Sequence, residues 1–345
     1  LNGASGVTDN EAIALLNYGF DNFGDDAILG VIVDKLKSLG NNIAVISKNP
    51  KKTSLLYQVY SVKNFSLLSL FLAMSRSDVL ISGGGSLLQD VTSFKSLLYY
   101  SAVIWLAEAM NKKVIIFAQG IGPLKREKSV EIVKKLLLKA DFVSVRDQKS
   151  LQLLNSWGVK ATLVNDPVFS LEVTPANPDG TIGVQLRDYK TMNDVLLNRL
   201  AEQILKEFPG RKIEIYAFQK ALDYKICLKF EKLLKTMNPE VNTEVIHSLT
   251  KNDFIFKMSH LEYMIAMRFH AVLVALKLGI KTIAINYDAK VTKLAYEALI
   301  PIITMKGDDD YDAAFAKMKA LDSRKLLHFA NTKPFNWSGI MPFIS

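Results

Sequence analysis

An arginine and a histidine two positions apart, Arg268 and His270, stand between the apolar run "YMIAM" at 263–267 and a helical pattern that opens at Ala271. A cation beside a ring that titrates near neutral pH can grip an anion and hand it a proton. The same pair can instead serve only the start of the helix, and the residues alone leave both readings open. Arg146 follows "FVSV" and Lys290 follows "TIAINYDA", so two further cations also sit just past apolar runs. Arginine binds carboxylate or phosphate through two parallel bonds. Two arginines and a lysine therefore suit a small molecule carrying both groups, although Arg146 could equally form a surface pair with Asp147.

The polar loops supply the rest of the chemistry. In "YGFDNFGD", Asp25 reads first as the cap of a helix beginning at Asp26. Asp21 and Asn22 precede that cap and could hold sugar hydroxyls or take a proton. Gly83, Gly84 and Gly85 would let backbone N–H groups approach a ligand, with the positive end of a following helix behind them; a plain turn is the equal alternative. The triplet lacks the lysine and hydroxyl of a nucleotide-binding P-loop, which argues against an ATPase. Gly120 and Gly122, with Pro123, form a second pliable corner in "QGIGP", beside Gln119 as a further cleft candidate, and Asp166 lies in "NDP". The first acidic loop has no histidine partner and no second acidic cluster has ligand spacing, so neither metal nor cofactor is expected.

These residues need elements to position them. Short β-rich runs fall at 12–17, 43–47, 78–82, 113–118, 142–145 and 161–165, with helical patterns at 26–39, 66–75, 94–110, 127–139 and 147–157. The scheme repeats with strands at 181–186, 212–218, 242–246, 262–266, 281–285 and 302–305. Helices are expected there at 192–207, 221–236, 251–259, 269–278, 289–299 and 310–320. Such alternation predicts parallel sheets covered on both faces. The fold expected is α/β, with two Rossmann-like domains at 11–171 and 181–320 facing a cleft. "EVTPANPDG" at 172–180 is the linker, and 321–345 is a tail that could cross back to the first domain. Residues 1–10 show no apolar period and are left out of the fold. Ligands of such sheets bind beyond the carboxyl ends of the strands, where the polar and glycine-rich turns are concentrated.

Composition narrows the partners. The 345 residues are 49% hydrophobic and 22% charged, as in a globular protein, and no uncharged apolar run reaches the length of a membrane-spanning helix. The net charge of +9 fits either a solvated lysine-rich surface or an anionic partner. No nucleic-acid motif accompanies it, so nucleic acid is not expected. The one cysteine, Cys227, is spaced with Tyr224, Phe230 and Leu234 like a helix core face.

Taken in order, "YGFDNFGDDAIL", "ISGGGSLLQD", "QGIGPL", "VRDQKSLQLL", "DPVF", "MRFHAVLVALKLGI" and "INYDAKV" resemble the polysaccharide pyruvyltransferase family, and within it the members that modify bacterial cell-wall polymers for surface-layer anchoring. The resemblance runs from about residue 12 to 299. It implies a fold like that of two-domain GT-B glycosyltransferases, phosphoenolpyruvate as donor, and a ketal bridging two hydroxyls of one sugar, commonly O4 and O6. It implies that His270 is an acid/base, that Arg268, Arg146 and Lys290 hold the donor, and that the Asp21–Asn22 loop lies near the acceptor. Phe269 stands where that family commonly has leucine. A cytoplasmic enzyme that visits the inner membrane surface for a lipid-diphosphate-linked sugar would account for the positive charge. The alternatives are a GT-B glycosyltransferase using a nucleotide sugar, with the Glu297 region available for a ribose, an enolpyruvyl transferase, and a non-catalytic binding module.

Overall fold

The computed structural model describes residues 12–91, 93–189, 192–306 and 309–345; the segment 1–10, expected to lie outside the fold, is outside the described residues. The chain divides into two compact units. One comprises residues up to Phe20, Asp25–Pro167 and Phe335–Ser345; the other comprises Asp21–Gly24 and Val168–Pro334.

The first unit begins β1 (Ala12–Tyr18), α1 (Phe23–Ser38), β2 (Asn42–Ser47), α2 (Pro50–Tyr57), β3 (Tyr60–Lys63), α3 (Leu67–Ser75) and β4 (Val79–Ser82). It continues α4 (Phe94–Ala109), β5 (Lys113–Gln119), α5 (Glu127–Lys139), β6 (Phe142–Val145), α6 (Gln148–Ser156) and β7 (Thr162–Leu163). Its sheet is parallel, in the order β3-β2-β1-β4-β5-β6-β7. Central strands such as "VLIS" are buried at every position, as a sheet covered on both faces requires.

The second unit runs β8 (Thr181–Gln185), α7 (Asp194–Glu207), β9 (Ile213–Ala217), α8 (Lys220–Met237), β10 (Thr243–His247), α9 (Lys251–Ser259) and β11 (Leu261–Ala266). It ends α10 (Phe269–Lys277), β12 (Lys281–Asn286), α11 (Ala289–Glu297), β13 (Ile302–Thr304), α12 (Tyr311–Lys319) and α13 (Ser323–Asn331). This sheet is also parallel, in the order β10-β9-β8-β11-β12-β13. In each sheet the first strand lies between the second and the fourth. Crossovers therefore leave it in opposite directions and open a crevice at the carboxyl ends of β1/β4 and of β8/β11.

Four expectations need correction. α1 starts at Phe23, so Asp25 lies inside its first turn, and Asn22 takes the cap position by accepting the Gly24 N–H at 3.2 Å. The strand expected over 161–165 is two residues long at the sheet edge. The pair α2 and β3 was not expected, being a short helix and an edge strand of four residues with little periodicity. Residues 321–345 are not one tail: α13, with Leu326 and Ala330 buried, packs on α10 in the second unit.

From Phe335 onward the chain belongs to the first unit. Phe335 is buried with its ring 4.8 Å from Phe117, and Trp337 lies 5.6 Å from the same ring. Asn41 Nδ2 donates to the Ile344 carbonyl at 2.8 Å, and the segment closes with α14 (Met341–Ile344). Losing a buried phenylalanine costs about 3–5 kcal/mol. Phe335→Ala is therefore expected to lower the thermal midpoint by several degrees; a midpoint equal to wild type in calorimetry would contradict this packing.

Candidate functional site

In the second unit the crevice is built around one residue. Gln185 ends β8 and is fully buried; its Oε1 accepts the backbone N–H of Arg268 at 2.7 Å, and its Nε2 donates to the Leu186 carbonyl at 2.8 Å. That bond ties the end of β8 to the turn leaving β11. Arg268 occupies the cap position of α10 in extended backbone conformation. Its side chain turns toward α8, where Nε donates to Asp223 Oδ2 at 2.8 Å and Nη2 to Asp223 Oδ1 at 2.6 Å. Nη2 also lies 3.3 Å from Gln219 Oε1, and the Gln219 N–H donates to Asp223 Oδ2 at 2.9 Å. The carboxylate is fully buried and the arginine side chain is 11% exposed. The two-bond fork foreseen for a ligand is thus spent on Asp223, and Nη1 takes no part in those bonds. Burial, then the nearby charge of Asp223, pushes the Cys227 thiol up to about 12, so that sulfur stays protonated.

The Asp21–Gly24 loop is held in the same place. The Phe23 N–H donates to the Phe218 carbonyl at 3.1 Å, its ring lies 4.2 Å from that of Phe218 and 5.7 Å from that of Phe254, and Asn22 pairs with Gln219 in an antiparallel bridge. Asp21 is exposed with φ +51, a left-handed conformation that aspartate and asparagine tolerate better than most residues. Gly24 faces the imidazole of His270 so closely that a Cβ there would stand 2.1 Å from Nδ1. His270 is half-buried in the first turn of α10, beside Phe269. The second unit therefore brings Asn22, Gly24, Arg268 and His270 into one cluster, with Asp21 next to it in the chain.

Lys290 lies beyond the neighbouring strand β12. Its N–H is accepted by Asp288, the cap of α11, and its Nζ is 3.6 Å from the same carboxylate, with both side chains well exposed. Arg187, just past β8, donates to Tyr287 Oη at 3.4 Å and adds a cation at this edge. Glu297, weighed as a ribose contact, is at the far end of α11 and paired with Lys293 and Lys333.

The remaining predicted residues gather in the first unit. Gly85 bridges Gln119, the Gly120 N–H donates to the Gly85 carbonyl at 2.8 Å, and the Arg146 N–H donates to the Gln119 carbonyl at 3.3 Å. Arg146 Nη1 binds Asp166 at 2.8 Å, with side chains only 10% and 2% exposed, so its partner is Asp166 and not Asp147. Asp147 instead caps α6. Gln119 is fully buried and its amide donates to Ser82, as a structural residue would. The glycine triplet does not precede a helix: α4 begins at Phe94, after a loop. Gly83 makes room for the Tyr18 hydroxyl and Gly84 for Ile28, while Gly85 takes φ +98, with Asp25 the nearest side chain to where its Cβ would be. Packing thus accounts for Gly83 and Gly84, and the backbone conformation for Gly85.

Sequence reasoning missed Gln185, Gln219, Asp223 and Gly24. Asp223 left a signal, an acid one turn before Ile226 and Cys227 and in line with Phe230 on the buried stripe of α8. Gly24 left none, because only the fold brings residue 24 to residue 270.

Two Rossmann-like units are also the architecture of solved glycosyltransferases and sugar-nucleotide epimerases. The putative UDP-N-acetylglucosamine 2-epimerase of Listeria monocytogenes superposes with a TM-score of 0.65 at 10% identity, covering 96% of this chain and 94% of that one. A glycosyltransferase of Rickettsia africae gives 0.62 at 12%, covering 94% of each chain. An Anabaena protein in complex with UDP gives 0.62 at 10%, covering 94% and 95%. At such identities the likeness establishes the fold. No curated protein matches the sequence. The family described as polysaccharide pyruvyl transferase matches residues 22–289, and the chain belongs to that family.

Two outcomes follow from the geometry. Asp223→Ala strands a desolvated guanidinium, and breaking a buried pair in this way costs about 3–5 kcal/mol; chemical denaturation should register a loss of that order, and a change below about 1 kcal/mol would mean the pair is solvated. Gly24→Ala should displace the His270 ring while leaving the circular dichroism spectrum intact, and shift the imidazole signals in NMR. Unchanged His270 resonances would show that the close approach is not real.

Proposed function

We propose that the protein transfers the pyruvyl group of phosphoenolpyruvate to two hydroxyls of one hexose or N-acetylhexosamine in a cell-wall or surface polysaccharide precursor, forming a 4,6-ketal and releasing phosphate. The observation that carries this reading is the Arg268–His270 pair, fixed at the start of α10 in the β8/β11 crevice of a member of the pyruvyl transferase family. The donor carries a carboxylate and a phosphate, and Arg268 and Lys290 are the cations of the second unit assigned to it.

The steps balance as follows. His270 gives a proton to the methylene carbon of phosphoenolpyruvate, and positive charge develops at C2. One sugar hydroxyl adds there and loses its proton, for which Asp21 is the assigned base. The C2–O bond to phosphate then breaks, the second hydroxyl closes the ring, and its proton leaves with phosphate or to water. Cations near the leaving phosphate lower the barrier to that departure. The acceptor is assigned as a sugar carried on a lipid diphosphate, met at the inner face of the cell membrane; no helix among the described residues is long and apolar enough to cross a membrane.

The test incubates the protein with phosphoenolpyruvate and a lipid-linked or nitrophenyl N-acetylhexosamine disaccharide. A product heavier by one pyruvyl ketal, with a methyl singlet in the proton spectrum and stoichiometric phosphate, is expected. A product that keeps a vinyl group, or turnover of a nucleotide sugar instead, would overturn the assignment. His270→Ala should reduce turnover by about 10²–10⁴-fold while donor binding stays measurable by calorimetry; wild-type turnover would remove His270 from the mechanism.

A further inference from the structure

In the first unit, α3 is apolar on both sides. It buries Leu70, Ala73 and Met74 against the fold, yet Leu67, Leu68, Phe71 and Leu72 on its other side are 83%, 69%, 50% and 39% exposed. Those four lie at positions i, i+1, i+4 and i+5, so they share one helix face. α3 packs against α4, whose outward residues Leu98 and Trp105 are also exposed. Phe65, just before α3, is exposed as well and stacks on Tyr99 of α4 with centroids 4.3 Å apart. That contact joins the start of α3 to α4. Folded chains rarely leave large apolar side chains contiguous in water without a use for them.

The charge beside α3 is one-sided in the chain. Lys63 precedes the helix and Arg76 follows it, with no aspartate or glutamate between them. Exposed Lys63 and Arg76 bracket α3 on either side. We propose that the α3–α4 face, led by Leu67, Leu68 and Phe71, is a docking surface for a lipid bilayer bearing anionic headgroups. A nine-residue helix is far too short to span a bilayer, but an apolar face rimmed by cations suits lying in the headgroup boundary. The apolar residues enter the acyl edge and the cations meet lipid phosphates. A second copy of this chain fits poorly, because a two-fold contact would set the same cations against themselves. The inference rests on this surface and not on the transfer chemistry, so the two can fail separately.

The experiment uses the whole protein with vesicles of phosphatidylcholine, alone or with phosphatidylglycerol added. Co-sedimentation is expected only with the anionic vesicles, accompanied by a blue shift of tryptophan emission that Trp105→Phe removes. Leu68→Ser combined with Phe71→Ser should weaken vesicle binding at least about tenfold, since each buried apolar side chain contributes more than that factor. The substituted side chains are on the surface, and an unchanged thermal midpoint would confirm an intact fold. Lys63→Glu with Arg76→Glu should weaken binding at low salt and make less difference at high salt. Undiminished vesicle binding by the double serine variant, or no binding of the wild type to anionic vesicles, would overturn the proposal. A dimer in sedimentation velocity that the serine variant abolishes, without vesicle binding, would assign the face to a second copy instead.

Discussion

The geometry of the candidate site rests on the ion pair between Arg268 and Asp223. Taking a guanidinium and a carboxylate out of water is costly, and the attraction repays it only when the bonds are well formed and the leftover atoms are satisfied. Here both carboxylate oxygens receive a guanidinium N–H, and one also takes the Gln219 backbone N–H. Gln185 then fixes the arginine from its backbone side. With the side chains of Asp223, Gln219 and Gln185 all bonded to Arg268, the start of α10 is held in place, and His270 with it. The same Gln219 bridges to Asn22, so the loop after β1 is placed by the residues that place the arginine.

This arrangement changes what the arginine can offer. Its Nε–Nη2 edge faces inward, so any anion at the crevice meets the Nη1 side of an already oriented cation. A fixed charge needs no reorganisation when negative charge moves, which is how preorganised sites lower barriers. The first unit uses the same device. Arg146, just past β6, is locked to the buried Asp166, and its backbone N–H is bound by Gln119. Two sheets of the same 3-2-1-4 order each carry an arginine braced by an aspartate at the carboxyl edge.

Much of this was legible in the sequence, and the exceptions share a cause. Strand–helix alternation is written locally, so twelve of the thirteen strands among the described residues were anticipated and β3, with four residues at a sheet edge, was not. The cations and the histidine were visible because polar residues directly after buried strands break the apolar pattern. Their partners were not: Gln219 and Asp223 come from α8 and its approach, more than 40 residues before Arg268, with an ordinary helix start to disguise them. The glycine triplet left two readings open for a related reason. Glycine that approaches a ligand and glycine that approaches Tyr18 or Ile28 look the same in one dimension. Gly24 is the converse, an unmarked turn residue whose missing side chain is what admits the His270 ring.

The net charge also means something different once it is distributed. Around the second sheet, lysines are matched to local carboxylates: Lys206 to Asp312, Lys212 to Glu214 and Glu244, Lys319 to Glu207. Pairs so exposed contribute little to stability, but they cancel the field of each lysine at a distance. Exposed Lys63 and Arg76 flank α3, with no acidic residue between them in the chain. Those two cations thus adjoin, in the chain, the leucines and the phenylalanine that α3 exposes. A charge spread only for solubility has no reason to coincide with an apolar face. Coincidence of the two is what a surface needs if it is to be attracted to an anionic layer and then held by the oil beneath it.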